Sequence, residues 1–223
     1  MTMLQENDVK QELLNAAMEL FSEKGYDHTS VNAIIEKVGV SKGAFYHYFK
    51  SKEDVLEAVV AQYIEKEIQI THTIAENHRL NAIEKVSKLI GEVLGYKALT
   101  LKKRLKISSF FQDAGNVKFQ RKVVESKFKL LHLPYRTIIE QGIQEGTFHI
   151  FYLEETIEQI MHMIVILNSA VTRLAADIEK RPDNIKMIKQ KIEAYGDTIE
   201  RILGVQKGSI NLSEIIKIFE KQL

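Results

Sequence analysis

Apolar side chains recur every three or four residues along almost the whole chain, and no stretch shows the strict alternation of a half-buried strand. This pattern predicts an all-α fold. Three short helices fall within the first fifty residues, and a fourth begins at Ser51 and runs towards residue 78. Longer helices are predicted near residues 81–95, 98–112, 116–145, 154–179 and 183–203, with a short one near 212–222.

Proline gives one local expectation. Pro134 lies inside the predicted helix near 116–145, where its missing backbone N–H should kink or break the helix.

The segment from Thr29 to Lys52, TSVNAIIEKVGVSKGAFYHYFKSK, is the most specific part of the sequence. It predicts a helix, a sharp turn through residues 39–41 and a second short helix, which together form a helix-turn-helix. Gly39 suits the left-handed backbone that such a turn requires. Within the second helix, Phe45 and Phe49 are expected to be core residues.

Positive charge is concentrated on this segment. Residues 37–52 contain four lysines and no Asp or Glu, whereas residues 1–54 together hold six lysines against nine acidic residues, a net charge of −3. A phosphate backbone can lie against such a cationic edge. Helix N-termini at Ser30, Ser41 and Ser51 add backbone N–H donors for phosphate. The segment therefore favours contact with nucleic acid.

From about Leu13 to Val60 the chain resembles the TetR/AcrR-type transcriptional regulators, through ELFSEKGYDHTSV and VGVSKGAFYHYFKSKEDVL in one register. Beyond residue 60 the resemblance is only architectural. It implies that residues 1–52 form a helix-turn-helix DNA-binding domain and that residues 53–223 form a helical ligand-binding and dimerisation domain. It also implies a homodimer that binds double-stranded DNA at a palindromic operator, most often as a repressor that a small-molecule effector releases.

The same resemblance assigns DNA contacts to nine residues. The first three residues of the recognition helix would face base edges in the major groove, and the others would touch phosphate or neighbouring bases. The nine are Thr29, Ser30, Asn32, Lys42, Gly43, Ala44, Tyr46, His47 and Lys52. No arginine precedes Arg79, so arginine cannot read guanine from this domain and lysine must donate to base edges instead.

The last two long helices carry broad apolar faces. The first of them is apolar almost all round, so it must be buried on most sides, either in the protein's own core or against a second copy. We favour a dimer, because helix-turn-helix proteins usually match two-fold operators with two-fold symmetry. The interface is then expected on Ile157, Met161, Ile164, Leu167, Val171, Ile188, Ile192, Tyr195 and Ile199.

A small-molecule site needs an apolar lining with a few polar anchors. The candidate lining residues are aromatic or histidine, and each of them is also open to interpretation as core packing or as a surface residue. They are Phe110, Phe111, Phe128, His132, Tyr135 and His162. An alternative hypothesis is an adaptor of the same fold whose C-terminal domain binds a protein partner instead of a small ligand.

Enzymatic and membrane functions find little support. The absence of cysteine excludes disulfides, thiolate metal sites and cysteine nucleophiles. No two histidines stand four residues apart, and no GxSxG, GxGxxG, Walker or HExxH motif is present. We therefore expect no catalytic residue, no metal and no cofactor. With no visible signal peptide and no apolar run of about 20 residues, we expect a soluble cytoplasmic protein that does not enter a membrane.

Overall fold

The computed structural model describes residues 3–100 and 117–221. Over these residues the chain forms nine α-helices and no strand, which confirms the all-α fold class. The helices are α1 (Met3–Lys24), α2 (Val31–Val38), α3 (Lys42–Tyr48), α4 (Lys52–Ala75), α5 (Ala82–Leu99), α6 (Val117–Gln144), α7 (Leu153–Ala176), α8 (Asn184–Leu203) and α9 (Ser213–Lys221).

Most predicted helix bounds agree with these to within a few residues. Three ends differ by three or four residues: α4 ends at Ala75, before residue 78, α5 continues to Leu99, and α7 ends at Ala176, before residue 179. Most of the helix predicted near 98–112 lies outside the described residues. The expected break at Pro134 is wrong, because α6 continues through it as one helix. Pro134 is buried, and the chain is helical on both sides of it despite one missing backbone bond.

The described residues divide into two compact units. We call residues 3–65 with 117–126 the head unit, and residues 66–100 with 127–221 the body unit. Both α4 and α6 contribute residues to each unit. The head unit therefore extends past the predicted domain boundary at residue 52, because buried side chains of α4 as far as Ile64 belong to it.

Three serines set the helix starts in the head unit. The hydroxyl of Ser30 accepts a hydrogen bond from the backbone N–H of Ala33 at 3.1 Å, and Ser41 accepts one from Ala44 at 3.1 Å. The Ser51 hydroxyl accepts the same bond from Asp54 at 3.1 Å. Each bond satisfies a backbone donor that a helix start leaves free. The short local spacing of these bonds is the reason that the sequence predicts the helix-turn-helix accurately.

The turn between α2 and α3 depends on Gly39. Its φ of 75° lies in the left-handed region, and its N–H donates to the carbonyl of Ile35. On the inner side of the turn, Phe45 and Phe49 are buried with ring centroids 5.9 Å apart, as predicted for core residues. These contacts fix which face of α3 points outward.

In the body unit, α7 packs against α8 and α5, while α9 packs against α5 and α8. Among the described helices, α7 alone has the length and mean hydropathy of a membrane span. Its apolar side chains nevertheless fill the core of the body unit, where Ile157, Ile160, Leu167 and Val171 are buried. A core helix of this kind has the composition of a span without needing a membrane.

Candidate nucleic-acid interface and effector region

The outward face of α3 carries polar and aromatic side chains. Lys42, Gly43, Tyr46 and His47 are exposed, and Tyr46 keeps 49% of its surface accessible. The ammonium nitrogen of Lys42 lies 6.0 Å from the centre of the Tyr46 ring. A built Cβ on Gly43 would approach only the Ser41 hydroxyl, at 3.8 Å, so nothing shields the backbone there. This face has the size and chemistry of a helix that enters the major groove.

Ala44 differs from its neighbours on α3. It is only partly exposed, and its backbone N–H is engaged by the Ser41 hydroxyl. Its methyl group can therefore offer an apolar contact to a base, such as a thymine methyl, but its N–H is not free to donate.

The three phosphate contacts predicted at the start of α2 differ in their exposure. Ser30 and Asn32 are exposed there. Thr29 is 2% exposed, and its hydroxyl donates to the carbonyls of Gly25 at 2.8 Å and Leu20 at 3.2 Å. The prediction that the Thr29 side chain contacts phosphate is therefore wrong. Its hydroxyl instead links the end of α1 to the start of α2.

Lys52 is tied to the link between α1 and α2. Its ammonium nitrogen donates to the carbonyl oxygen of Tyr26 at 2.8 Å and lies 4.2 Å from the centre of the Tyr26 ring. Burial lowers the pKa of Lys52, and burial together with a 2.7 Å hydrogen bond to Glu53 raises the pKa of Tyr26. Lys52 thus has a structural contact that the sequence does not show, and two of its three N–H groups remain for another acceptor.

Ion pairs neutralise some of the lysines on the surface of the head unit. Lys37 pairs with Glu19 at 2.9 Å, and Lys118 pairs with Asp27 at 3.5 Å. Lys42 and Lys50 are exposed and make no ion pair with any residue that the structure describes. Positive charge therefore remains unneutralised at both ends of α3.

The candidate effector residues do not converge on one cavity. Phe110 and Phe111 lie outside the described residues. The Phe128 ring contacts that of His162 at 4.4 Å between centroids, while the Nε2 atom of His132 lies 3.0 Å from a carboxylate oxygen of Glu154.

Tyr135, by contrast, is buried and lines a cavity of about 10 Å³ in the body unit. Phe128, His132 and His162 are not part of its wall. Of the candidate residues within the described ranges, Tyr135 is thus the one with a place in an internal site.

A buried ionic cluster was not predicted. Glu67 on α4 accepts from Lys97 at 3.0 Å and from Lys127 at 2.7 Å, and all three side chains are buried. Burial alone raises the pKa of Glu67, but the charges of Lys127 and Lys97 outweigh it and hold the pKa at about 2. Lysine and glutamate on helices normally indicate a solvated face, so no local pattern could reveal this cluster.

The prediction of the dimer interface is wrong for most of its residues, because they are already buried within one chain. Eight of its nine residues are buried inside the body unit itself, and Tyr195 is partly buried. The eight are Ile157, Met161, Ile164, Leu167, Val171, Ile188, Ile192 and Ile199. Helical periodicity shows that a face is buried but not which partner buries it, and here the partner is the rest of the chain.

Comparison with known sequences gives matches to part of the chain. Residues 13–59 match the family model described as "Bacterial regulatory proteins, tetR family". UidR, an HTH-type transcriptional regulator of Escherichia coli K12, is 34% identical over 91 residues, which are 40% of this chain and 46% of UidR. The Tn10 TetC protein of Escherichia coli is 48% identical over 54 residues, 24% of this chain and 27% of TetC. The chain spans less than half the length of these curated relatives.

Comparison of structures extends the similarity to the body unit. SmeT in complex with triclosan matches 92% of this chain and 95% of its own, with a TM-score of 0.64 and 16% identity. SmeT is the repressor of the Stenotrophomonas maltophilia multidrug efflux pump SmeDEF. At this identity the likeness establishes the fold alone.

The head unit is thus a helix-turn-helix domain of the kind that bacterial regulatory proteins carry. Residues 13–59 are similar to the domain that the tetR family of bacterial regulatory proteins shares.

Proposed function

We propose that this protein is a homodimeric transcriptional repressor that binds a palindromic operator and leaves it when a small molecule binds the body unit. The observation that carries the proposal is the outward face of α3. Lys42, Tyr46 and His47 are exposed there, while Phe45 and Phe49 anchor the opposite face in the core. The match of residues 13–59 to the TetR family supports the same role for this helix.

The proposed DNA contacts fall into two groups. Lys42, Gly43 and Ala44 open α3 and face base edges, where lysine donates to guanine O6 and N7. Phosphate is bound around them by Ser30, Asn32, Tyr46, His47, Lys50 and Lys52. The two groups have different consequences, because base contacts select a sequence whereas phosphate contacts only set affinity and position.

The proposed dimer uses the outer faces of α7 and α8. The large apolar side chains exposed there are Ile166, with 56% of its surface accessible, and Met187, with 48%. A second copy that covers both would bury them and set two α3 helices about one DNA turn (~34 Å) or a multiple of it apart.

Release requires an effector that distinguishes two states of the protein. A ligand can shift the equilibrium only if it binds the DNA-free state more tightly than the DNA-bound state. SmeT, which is similar in fold, is a repressor known in complex with the small molecule triclosan, and this supports an effector site in the body unit here.

Selection from a pool of random DNA duplexes by the purified full chain tests the proposal. We expect enrichment of an inverted repeat, since two identical head units must read two identical half-sites. The double variant Lys42→Ala with Tyr46→Ala serves as the matched control, because both side chains are exposed and their loss leaves the core intact. Recovery of unenriched sequences with the wild-type protein would contradict the proposed function.

A further inference from the structure

The body unit contains two small cavities that follow each other along α5 and α7. The first is lined by Ile90, Ile164 and Tyr135, among other apolar residues, and the second by Leu94, Lys97 and Thr172 with apolar neighbours. Each has a volume of about 10 Å³, which is room for about one water molecule. The α7 residues that line the first cavity lie on average about eleven positions before those that line the second, so the two cavities are about 16 Å apart along the helix.

Asn168 stands on α7 between the residues that line the first cavity and those that line the second. It stands four residues after Ile164, a wall of the first cavity, and four before Thr172, a wall of the second, so all three share one face of α7. Only 6% of Asn168 is exposed, and neither atom of its side-chain amide has a hydrogen-bond partner in the described parts of the chain. A buried amide without partners costs free energy that an apolar side chain would avoid.

The ionic cluster of Glu67, Lys97 and Lys127 interacts with one lining residue of each cavity. Lys97 lines the second cavity and donates to Glu67. Tyr135 lines the first cavity, and its pKa is raised by burial and by the charge of Glu67. Each cavity thus combines apolar walls with one residue, Tyr135 or Lys97, that interacts with Glu67.

We propose that α5, α6 and α7 separate to join these cavities into one elongated site for an uncharged, mostly apolar molecule with a single hydroxyl group. The inference rests on the proposed function, for which it names the chemical class of the effector. A hydroxyl group accepts a hydrogen bond from the amide nitrogen of Asn168 and donates one to its oxygen, so one group satisfies both atoms. The apolar body of the ligand extends from Asn168 into the joined cavities.

An anionic head group fits this position less well. Glu67 already supplies the carboxylate between Lys97 and Lys127. An incoming carboxylate would also leave the oxygen of Asn168 without a donor. The unpaired amide therefore favours a neutral alcohol or phenol.

Calorimetric titration of the full chain with 4-hexylphenol and with its methyl ether, 4-hexylanisole, tests this inference. The ether keeps the apolar body but cannot donate a hydrogen bond. We expect the ether to bind about tenfold more weakly, because the oxygen of Asn168 then stays unpaired. Equal affinity of the two probes, or no binding of either, would overturn the inference.

The variant Asn168→Leu assigns the effect to this residue. It should bind phenol and ether equally, and it should be more stable than the wild type without ligand, since no amide is left unpaired. Ser169→Ala, at the exposed neighbouring position, should keep the preference for phenol. If Asn168→Leu does not fold, the comparison of the two probes on wild-type protein decides alone.

These titrations contain no DNA, so their outcome is separate from that of the operator selection. A protein that selects an inverted repeat but does not prefer the phenol contradicts only this inference. A protein that prefers the phenol but selects no DNA sequence contradicts only the proposed function.

Discussion

The ammonium nitrogen of Lys52 donates a 2.8 Å hydrogen bond to the carbonyl oxygen of Tyr26, on the link that precedes α2. The same ammonium lies 4.2 Å from the centre of the Tyr26 ring, close enough for a cation–π contact. Tyr26 in turn donates to Glu53, the residue next to Lys52 at the start of α4. These contacts join α4 to the segment that positions the helix-turn-helix.

Replacing Lys52 by alanine should therefore affect stability as well as DNA affinity. We expect a loss of about 1 kcal/mol in the free energy of unfolding, from the hydrogen bond and the cation–π contact together. Urea unfolding measures this loss. Lys50→Ala is the control, because Lys50 is an exposed lysine two positions earlier and its side chain should add almost nothing to stability. A Lys52→Ala protein as stable as Lys50→Ala would show that the contact with Tyr26 has no structural effect.

Thr29 and Ser30 are adjacent, but the structure gives them separate roles. Thr29→Val should lower the free energy of unfolding by about 1–3 kcal/mol, since the carbonyls of Leu20 and Gly25 lose a buried donor. Below its unfolding temperature, Thr29→Val should keep the salt dependence of DNA binding of the wild type. A reduced salt slope in this variant would show that Thr29 contacts phosphate after all.

Glu67→Gln should strongly destabilise the body unit. The change removes the charge that offsets two buried lysines, and breaking such a buried ionic cluster costs about 3–5 kcal/mol. Replacing the cluster as a whole, by Glu67→Leu with Lys97→Met and Lys127→Met, should recover most of this loss. Glu92→Gln is the control, because Glu92 is exposed and its ion-pair partner within the described residues is Lys88 on the same helix. Equal effects of the two glutamine substitutions in thermal unfolding would exclude a buried ionic role for Glu67.

The same glutamate predicts a pH dependence. The pKa of Glu67 is held at about 2 in the folded protein, below the ordinary value of 4.5. A lowered pKa adds stability above the unfolded pKa, and this contribution is lost as the pH falls from about 5 towards 2. Glu67→Gln should show a flatter decline in stability over this interval than Glu92→Gln.

The dimer surface that we propose predicts a charge substitution that dissociates the protein. Ile166→Glu with Met187→Glu should give a folded monomer, because both side chains are exposed in one chain and only a second copy would bury them. Light scattering measures the mass. Leu133→Glu on α6 is the control, because it also replaces an exposed apolar residue, and this variant should remain dimeric. Dimers in the first variant would place the interface elsewhere.

Local signals in the sequence were sufficient to predict the helix-turn-helix. The caps at Ser30, Ser41 and Ser51 and the turn at Gly39 each involve residues within four positions of one another, so the sequence shows them directly. Thr29 was misassigned because its hydroxyl donates to carbonyls up to nine residues away. Contacts of that range depend on how α1 ends.

The body unit was less predictable because its polar groups meet across helices. Glu67 and Lys127 are 60 positions apart, and each alone has the pattern of an exposed residue on an amphipathic helix. Burial of Ile157 and Ile192 was correctly expected, but periodicity could not show that the chain itself covers them. The sequence thus predicts which faces are buried more reliably than what buries them.

The central claim is that α3 reads a DNA sequence, and the comparison of Lys42→Ala with Lys50→Ala tests it most directly. Affinities of both variants are measured on the selected operator and on random duplex, over a range of salt concentrations. Lys42→Ala should lose affinity mainly on the operator, by about 1–3 kcal/mol per half-site, and so relax the preference at one base pair. Lys50→Ala should weaken both duplexes alike and lower the salt slope by about one unit per subunit. Equal loss on both duplexes for Lys42→Ala would contradict sequence recognition by α3.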